Sequence, residues 1–264
     1  DIDIAWSFKN KGFNRNAGAI AKLFFAGKWG SMLHRIQVIR GRRQDPFDAY
    51  EWMDDLHQRA GLRPVYFFLV AQQRSRYDRN IDIQNPAFQD LVRKISSTYA
   101  TGLHPSWISG DQQPLLTKEK AWLENITGQP ITLSRQHYLR FDLPNTYRRL
   151  IAAGITDEYS MAYGTINGFR ASVATSYYWY DLKGETKTAL RIHPFCFMDA
   201  NAYHEEKKSP AEALQEMMQF FEIIRSVNGS MITIWHNSFL GIDPACEGWR
   251  DVYEQFILRI SGEK

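Results

Sequence analysis

Segments with helical periodicity alternate with short apolar runs along most of this chain, and this alternation limits its possible folds more than any other feature. Between residues 45 and 60, apolar side chains recur three or four positions apart, as on one face of a helix. After Gly61, residues 65–70 form a continuous apolar run, which is typical of a strand buried on both faces. A helix followed by a strand is half of a β/α unit, so the sequence predicts an α/β fold.

The same unit repeats further along the chain. We predict helices within residues 45–60, 88–95, 115–126, 146–153 and 210–227, and strands within residues 65–70, 100–103, 131–133, 159–163 and 231–234. No linker rich in Pro, Gly or Ser separates these units, and a chain of 264 residues, 44% of them apolar, can bury one sizeable core. We therefore expect residues 1–264 to form a single domain.

Polar side chains that could do chemistry follow several of the predicted strands. They are Asp1, Asp3, His104, Arg135, His137 and His236. The carboxyl ends of all strands meet on one face of a parallel barrel, whereas in an open sheet only the strands beside the switch point share a site. Because four separate strand ends contribute here, the pattern favours a β/α barrel over a doubly wound sheet.

Charge and cysteine content narrow the class of protein only slightly. The 32 basic and 29 acidic residues give a formal charge of +3, and we expect no nucleic-acid partner because only Arg40, Arg42 and Arg43 form a short basic group. Cys196 and Cys246 lack the spacing of a metal-binding or redox pair, so we interpret both as free thiols.

The sequence shows no apolar run long enough to span a membrane and no recognisable signal peptide. These observations favour a cytoplasmic protein without a membrane span. The first residues resemble the end of a strand, so we expect a longer natural chain upstream, whose content leaves the location open. The sequence does not indicate an oligomeric state.

The two aspartates at the start of the sequence are separated by one residue. Side chains of a strand alternate between its faces, so Asp1 and Asp3 are expected on the same face. Two carboxylates in one pocket suit one metal ligand and one general base, because a cation between them relieves their repulsion. The alternative is a solvated turn without a catalytic role.

Three of the seven histidines, His104, His137 and His236, each follow an apolar predicted strand. One carboxylate with two neutral imidazoles is a common divalent metal site, with positions left open for water and substrate. The other histidines are interpreted as structural or surface residues: His34, His57, His193 and His204. The sequence has no GxSxG, Walker-type, GxGxxG or HExxH motif, which argues against serine hydrolases and nucleotide-dependent enzymes.

On these residues, the chain resembles the NodB-homology polysaccharide deacetylases, carbohydrate esterase family 4, and in particular a bacterial branch of that superfamily. The family's aspartate motif is similar to Asp1, Ile2 and Asp3, which implies Asp1 as the base and Asp3 as a metal ligand. Its next helix and strand are similar to residues 56–69. The resemblance covers nearly the whole chain and implies a distorted β/α barrel of about seven parallel strands.

The chain departs from the family at the metal-binding histidines. The family has two histidines four residues apart; His104 matches the first, but Ile108 stands at the second position. The family's following motif, an arginine and then a proline two residues later, resembles Arg135 and His137. We therefore hypothesise that His137 supplies the missing metal ligand and that Arg135 orients or pairs with Asp1.

The family's last motif, a leucine followed by a histidine, resembles the segment that ends at His236 and implies a general acid or transition-state stabiliser there. The resemblance implies a hydrolase that removes an acyl group, in particular an N- or O-acetyl group, from a carbohydrate. It also implies one divalent metal, zinc in the first instance and cobalt or nickel as alternatives. Arg170, Trp235 and Tyr138 are the predicted substrate contacts.

Two other functions agree with the same residues. The chain could be a non-catalytic carbohydrate-binding or scaffold domain with a degenerate metal site, or a hydrolase of a small non-sugar amide, because relatives of one fold often differ in substrate. The expected partner is accordingly a carbohydrate or a small acylated substrate.

Overall fold

The computed structural model describes residues 1–73 and 75–262, in which helices and strands alternate from α3 to β4 and follow one another less regularly elsewhere. The helices are α1 (Phe13–Phe25), α2 (Trp29–Ile39), α3 (Tyr50–Arg59), α4 (Pro86–Ser96), α5 (Gln113–Thr127), α6 (Asn145–Ala152), α7 (Pro210–Ser226), α8 (Asn237–Leu240) and α9 (Trp249–Ser261). The strands are β1 (Tyr66–Leu69), β2 (Thr101–His104), β3 (Leu133–Ser134), β4 (Asp157–Glu158), β5 (Tyr177–Asp181), β6 (Thr186–Ile192), β7 (Phe197–Met198) and β8 (Thr233–Ile234). The predicted α/β class is confirmed.

Most strands belong to one mainly parallel sheet with the order β1-β2-β3-β4-β6-β5. Neighbouring strands pair in parallel, except that β5 is antiparallel to β6. The strands β7 and β8 pair in parallel as a second, small sheet. Because β1 to β4 run in the same direction, their carboxyl ends lie along one edge.

A closed barrel is not found among the described residues. The parallel strands β1 to β4 contribute only two to four residues each, so the ladder of hydrogen bonds does not continue around a full circle. The N-terminal residues instead contact both sheets: Ile2 pairs with Phe68 of β1, and the backbone nitrogen of Asp1 donates to the carbonyl oxygen of Trp235, at 2.6 Å, directly after β8. The mainly parallel sheet is confirmed, whereas the expected barrel of about seven parallel strands is not.

The antiparallel edge of the sheet was not predicted. Strands β5 and β6 form a hairpin in which exposed side chains such as Tyr178 and Tyr180 alternate with more buried ones. The strand predicted over residues 159–163 is wrong, because β4 ends at Glu158 and the chain then leaves the sheet. Met161 and Ala162 in that segment are buried in irregular structure, which explains why their apolar character resembled a strand.

One large cluster of buried side chains joins the sheet to the surrounding helices. Phe68 of β1, Leu103 of β2 and Phe88 of α4 are all fully buried in it. Each such side chain contributes roughly 1.5–3 kcal/mol through removal of its apolar surface from water. This core holds the carboxyl ends of β1 and β2 in place.

Helices α1 and α2 form a hairpin outside the core. Helix α1 buries no residue and α2 buries only Val38. The segments before α1 and after α2 meet at Asp45. Its buried carboxylate accepts hydrogen bonds from the backbone nitrogens of Ser7, Phe8 and Lys9 at 2.7–2.9 Å. None of the described helices combines the length and apolar content needed to cross a bilayer.

Candidate metal centre

The predicted placement of the two aspartates agrees with the structure. Ile2 pairs with β1 and is buried, so the side chains of Asp1 and Asp3 project together from the opposite side of this extended segment. The Asp1 side chain is 3% exposed and that of Asp3 is 28% exposed. Asp1 therefore lies at the back of the site and Asp3 at its opening.

Asp3, His104 and His137 converge on one point. The Oδ1 atom of Asp3 is 3.1 Å from Nε2 of His104, and its Oδ2 atom is 3.5 Å from Nε2 of His137. One donor atom from each of the three residues lies within 4.8 Å of the others. A single ion at that point could contact a carboxylate oxygen and two imidazole nitrogens.

The tautomer of His104 follows from its surroundings. Its Nδ1 atom lies 2.5 Å from the carbonyl oxygen of Arg135, which can only accept, so Nδ1 carries the proton and donates it. Burial lowers the pKa of His104 to about 4, against the opposing effect of Asp3, so the ring is neutral at pH 7. The lone pair of Nε2 then faces the Asp3 carboxylate, which is also an acceptor, and Oδ1 of Asp3 is buried without a hydrogen-bond partner of correct geometry among the described residues. Two acceptors that face each other fit a cation between them.

His137 is held by a second carboxylate. Its Nδ1 atom donates to Oδ1 of Asp78 at 3.1 Å, and the same Asp78 oxygen accepts from the backbone nitrogen of Trp107 at 3.0 Å. Burial by itself would lower the pKa of His137, but Asp3 and Asp78 together outweigh it and raise this pKa to about 9. A cation bound at Nε2 would take the place of the second ring proton.

His236 approaches the same carboxylate from the second sheet. Its Nε2 atom is 3.6 Å from Oδ2 of Asp3. Its Nδ1 atom donates to Oδ1 of Asp199 at 2.6 Å, and its backbone nitrogen donates to Oδ2 of Asp199 at 2.7 Å. This double contact fixes the ring so that Nε2 points into the site.

Asp1 is paired with Arg135 beneath these residues. The Nη1 atom of Arg135 donates to Oδ1 of Asp1 at 2.5 Å, while Nε donates to the carbonyl oxygen of Tyr159 at 3.2 Å. The guanidinium also lies 4.3 Å from the ring centre of Phe67. Burial lowers the pKa of Arg135 to about 9, so the side chain remains charged at neutral pH. The other oxygen of Asp1 is 3.9 Å from Nε2 of His104, which places this carboxylate beside the candidate metal site.

A cleft of about 340 Å³ opens above the cluster. Asp1, Asp3 and the three histidines line its floor, and Tyr138, with 59% of its surface exposed, lies at the rim. Further polar residues also line the cleft: Asn201, His204, Glu205 and Ser238. Tyr138, one of the predicted substrate contacts, therefore borders the cleft.

Two other predicted substrate contacts do not line this cleft. The Trp235 ring is buried against Tyr253, with 4.9 Å between ring centres, and borders a separate cavity of about 500 Å³. It follows β8 but points to the face of the sheet opposite to His236, since adjacent residues of extended chain alternate. Arg170 is exposed, donates to the carbonyl oxygen of Ala162 at 3.1 Å and lies over Phe141. Neither side chain therefore borders the cleft above the candidate metal site.

Sequence patterns did not identify Asp78 and Asp199 as residues of the site. Asp78 lies in irregular structure between β1 and α4, where no periodicity marks it. Asp199 directly follows β7, and a strand predicted from the apolar residues 195–198 would have drawn attention to it. Both carboxylates are buried and both fix the ring of a site histidine.

Comparison with solved structures shows the fold. The chain superposes on a candidate polysaccharide deacetylase from Mycobacterium smegmatis with a TM-score of 0.57 and 14% identity, covering 98% of this chain and 83% of that one. A PuuE allantoinase gives a TM-score of 0.51 with 10% identity, and a candidate polysaccharide deacetylase from Pseudomonas aeruginosa PAO1 gives 0.50 with 12% identity. These two alignments cover 80% of this chain but only 66% and 65% of the respective structures.

No family model and no curated protein matches the chain. The three solved structures are similar over most of its length, and two of the three are described as polysaccharide deacetylases. The chain therefore shares its fold with these two deacetylases and the allantoinase.

Proposed function

We propose that this chain is a hydrolase that depends on a divalent metal and removes an acyl group, in particular an N- or O-acetyl group, from a carbohydrate. The observation that carries the proposal is the convergence of Asp3, His104 and His137, whose donor atoms lie within 4.8 Å of one another beside the Asp1–Arg135 pair. The fold shared with polysaccharide deacetylases supports this choice of reaction.

The chemistry of the donor set fits zinc, with cobalt or nickel as alternatives. One carboxylate oxygen and two imidazole nitrogens are ligands that these ions accept, and three protein ligands leave a position for water or substrate. Each imidazole is oriented by a hydrogen bond on its other nitrogen, from His104 to the Arg135 carbonyl and from His137 to Asp78. Such partners are usual behind metal-bound histidines.

When bound, the metal would supply Lewis-acid polarisation of the acyl carbonyl and a lower pKa of the attacking water. Asp1 takes the proton of that water, and Arg135 holds the carboxylate in the orientation that this transfer requires. His236 is placed to give a proton from Nε2 to the leaving nitrogen or oxygen, and Asp199, which accepts from Nδ1, stabilises the imidazolium before this transfer leaves the ring neutral. In this proposal Asp1 is thus the base and His236 the acid.

Hydrolysis of a small non-sugar amide is a second candidate. The cleft of about 340 Å³ is large enough for a small molecule, and an allantoinase shares the fold. The assay therefore includes allantoin beside acetylated sugars.

The proposal is tested first by metal content. The purified chain is expected to bind about one equivalent of zinc, cobalt or nickel by elemental analysis, and His137→Ala is expected to lose most of it because only Asp3 and His104 remain. His34→Ala is the matched control, since His34 lies on α2 away from the site, and its metal content should not change. A native chain that binds no metal even after reconstitution would overturn the hydrolase proposal and favour a binding domain.

Measurements of activity distinguish the role of the proposed base, Asp1, from the role of the metal ligands. In Asp1→Asn, the metal content should stay close to that of the native chain, while acetate release from acetylated oligosaccharides falls by about 10²–10⁴-fold, the usual contribution of a general base. Turnover of allantoin without acetate release would favour the small-amide alternative. An Asp1→Asn variant with full activity would contradict the assigned role of Asp1.

A further inference from the structure

The helical hairpin of α1 and α2 exposes an unusual amount of apolar surface. In α1, the side chains Phe13, Ala17, Ile20, Ala21 and Phe24 recur at helical spacing, yet the helix buries none of its residues. Phe13 is 85% exposed and Phe25 is 86% exposed, and Trp29 and Leu33 of α2 are more than half exposed. A contiguous apolar face of this kind on a folded domain normally marks an interaction surface.

The hairpin and the segments that flank it also have a one-sided charge. Residues 8–44 contain no Asp or Glu and nine of the 32 basic residues: Lys9, Lys11, Arg15, Lys22, Lys28, Arg35, Arg40, Arg42 and Arg43. The remaining 23 basic residues are outnumbered by 29 acidic ones, so the rest of the chain is net negative. The near-neutral total charge conceals this division.

We propose that the α1–α2 hairpin binds the surface of an anionic lipid bilayer and lies in its interface. Amphipathic helices with aromatic and aliphatic side chains on one face and Lys or Arg on the other bind membranes in this way without crossing them. Helix α1 has 13 residues and is about 20 Å long, too short to span the hydrocarbon layer.

Charge favours a lipid bilayer over a second copy of the chain as the partner of the hairpin. Two hairpins that each carry four basic residues and no acidic one between Phe13 and Ile39 would repel each other if their apolar faces met, whereas an anionic lipid surface attracts them. The outward-facing groove between the helices, lined by Ile20, Phe24, Met32 and Ile39, is almost entirely apolar. The acyl chains of lipids are apolar and can contact such a lining without loss of hydrogen bonds.

The aromatic side chains also favour lipid over nucleic acid. The rings of Phe24 and Phe25 meet edge to face with 5.5 Å between their centres, and those of Phe24 and Trp29 do so at 4.7 Å. They therefore form a compact wedge and not a series of parallel platforms on which bases could stack. Aromatic side chains of this kind are the ones that interfacial helices insert at the boundary of head groups and acyl chains.

The inference is tested with the full chain and large unilamellar vesicles. Co-sedimentation with vesicles of 30 mol% phosphatidylglycerol in phosphatidylcholine is expected to retain the protein, whereas pure phosphatidylcholine vesicles retain much less. The double substitution Phe24→Ser with Phe25→Ser should weaken the association by at least about tenfold, because two aromatic rings no longer enter the interface. Lys22→Gln with Lys28→Gln should weaken it by roughly thirtyfold, from the usual contribution of about 1 kcal/mol per basic residue near an anionic surface.

The matched control is Ile223→Ser, which removes a 52% exposed apolar side chain from α7 and should leave vesicle binding unchanged. Circular dichroism of each variant establishes that the fold is retained. Failure of the native chain to sediment with anionic vesicles would overturn the proposal. Equal binding by the Phe24→Ser, Phe25→Ser variant would do so too, as would a dimer that masks the hairpin or retention by DNA or RNA in place of vesicles.

Discussion

At the scale of single residues, the site is organised by the atoms behind the histidines. His104, His137 and His236 each place Nδ1 on an oxygen acceptor, which leaves Nε2 directed at Asp3. Three acceptor groups, one carbonyl and two carboxylates, therefore select the tautomers that a metal site or a proton donor needs. Sequence patterns identified the three histidines but not the two carboxylates, because neither Asp78 nor Asp199 is close to its histidine along the chain.

A buried histidine outside the site is expected to make stability depend on pH. His57 is 2% exposed, its Nε2 atom lies 2.7 Å from the Tyr253 hydroxyl, and burial lowers its pKa to about 4. The unfolded chain binds this proton near pH 6.5, so the stabilisation is complete above pH 6.5 and is lost as the pH falls towards 4. The free energy of unfolding should decrease by about 3 kcal/mol across that window.

Urea denaturation at pH 7, 5.5 and 4.5 measures this effect. In His57→Gln, the titrating group is absent, so the variant should be less stable than the native chain at pH 7 but should lose less stability on acidification. An unchanged pH dependence in that variant would show that other groups are responsible.

At the scale of elements, β2 depends on a residue without a side chain. A Cβ atom at Gly102 would lie 2.4 Å from Cε1 of Phe67 and 3.0 Å from Cβ of Leu133. Gly102 thus allows β1 and β3 to approach β2, whose last residue, His104, is a predicted metal ligand. The close packing of this strand positions the ligand.

Gly102→Ala is therefore expected to destabilise the chain by about 1–3 kcal/mol, the usual cost of overpacking a core. Gly18→Ala is the matched substitution, because Gly18 lies in α1 with open space around its Cβ position. It should raise stability by up to about 1 kcal/mol through the higher helix propensity of alanine. Thermal denaturation of both variants compares them, and equal midpoints would contradict this account of β2.

Elements with strong periodicity were predicted well. The helices α3, α4, α5 and α7 and the strands β1 and β2 lie where the apolar spacing placed them. The prediction failed at β4 and missed the β5–β6 hairpin. Whether two strands form an antiparallel hairpin at the edge of a sheet depends on how the strands pair and not on the local spacing of apolar residues. It also missed α1 and α2, whose apolar face has no counterpart in the core.

At the scale of the whole molecule, the core and the α1–α2 hairpin are expected to be energetically separate. Replacement of residues 11–36 by a flexible Gly/Ser linker removes α1, which buries nothing, and keeps Val38 and Asp45 in place. The midpoint of thermal unfolding should change by less than about 4 °C, which corresponds to about 1 kcal/mol for a domain of this size. Scanning calorimetry measures the change, and a decrease of more than 10 °C would show that the hairpin belongs to the cooperative core.

The sequence by itself determined the α/β class, most of the helices and the residue types that meet in the cleft, because periodicity and strand-end position are local properties. Only the tertiary structure decided that Asp3, His104 and His137 come within reach of one another, since they are brought together by pairing between strands far apart in the chain. It also decided that Trp235 and Arg170 do not line the cleft, that Asp78 and Asp199 each hold the ring of a histidine and that the parallel sheet does not close among the described residues. These features depend on the direction and length of packed strands, which no local pattern of residues encodes.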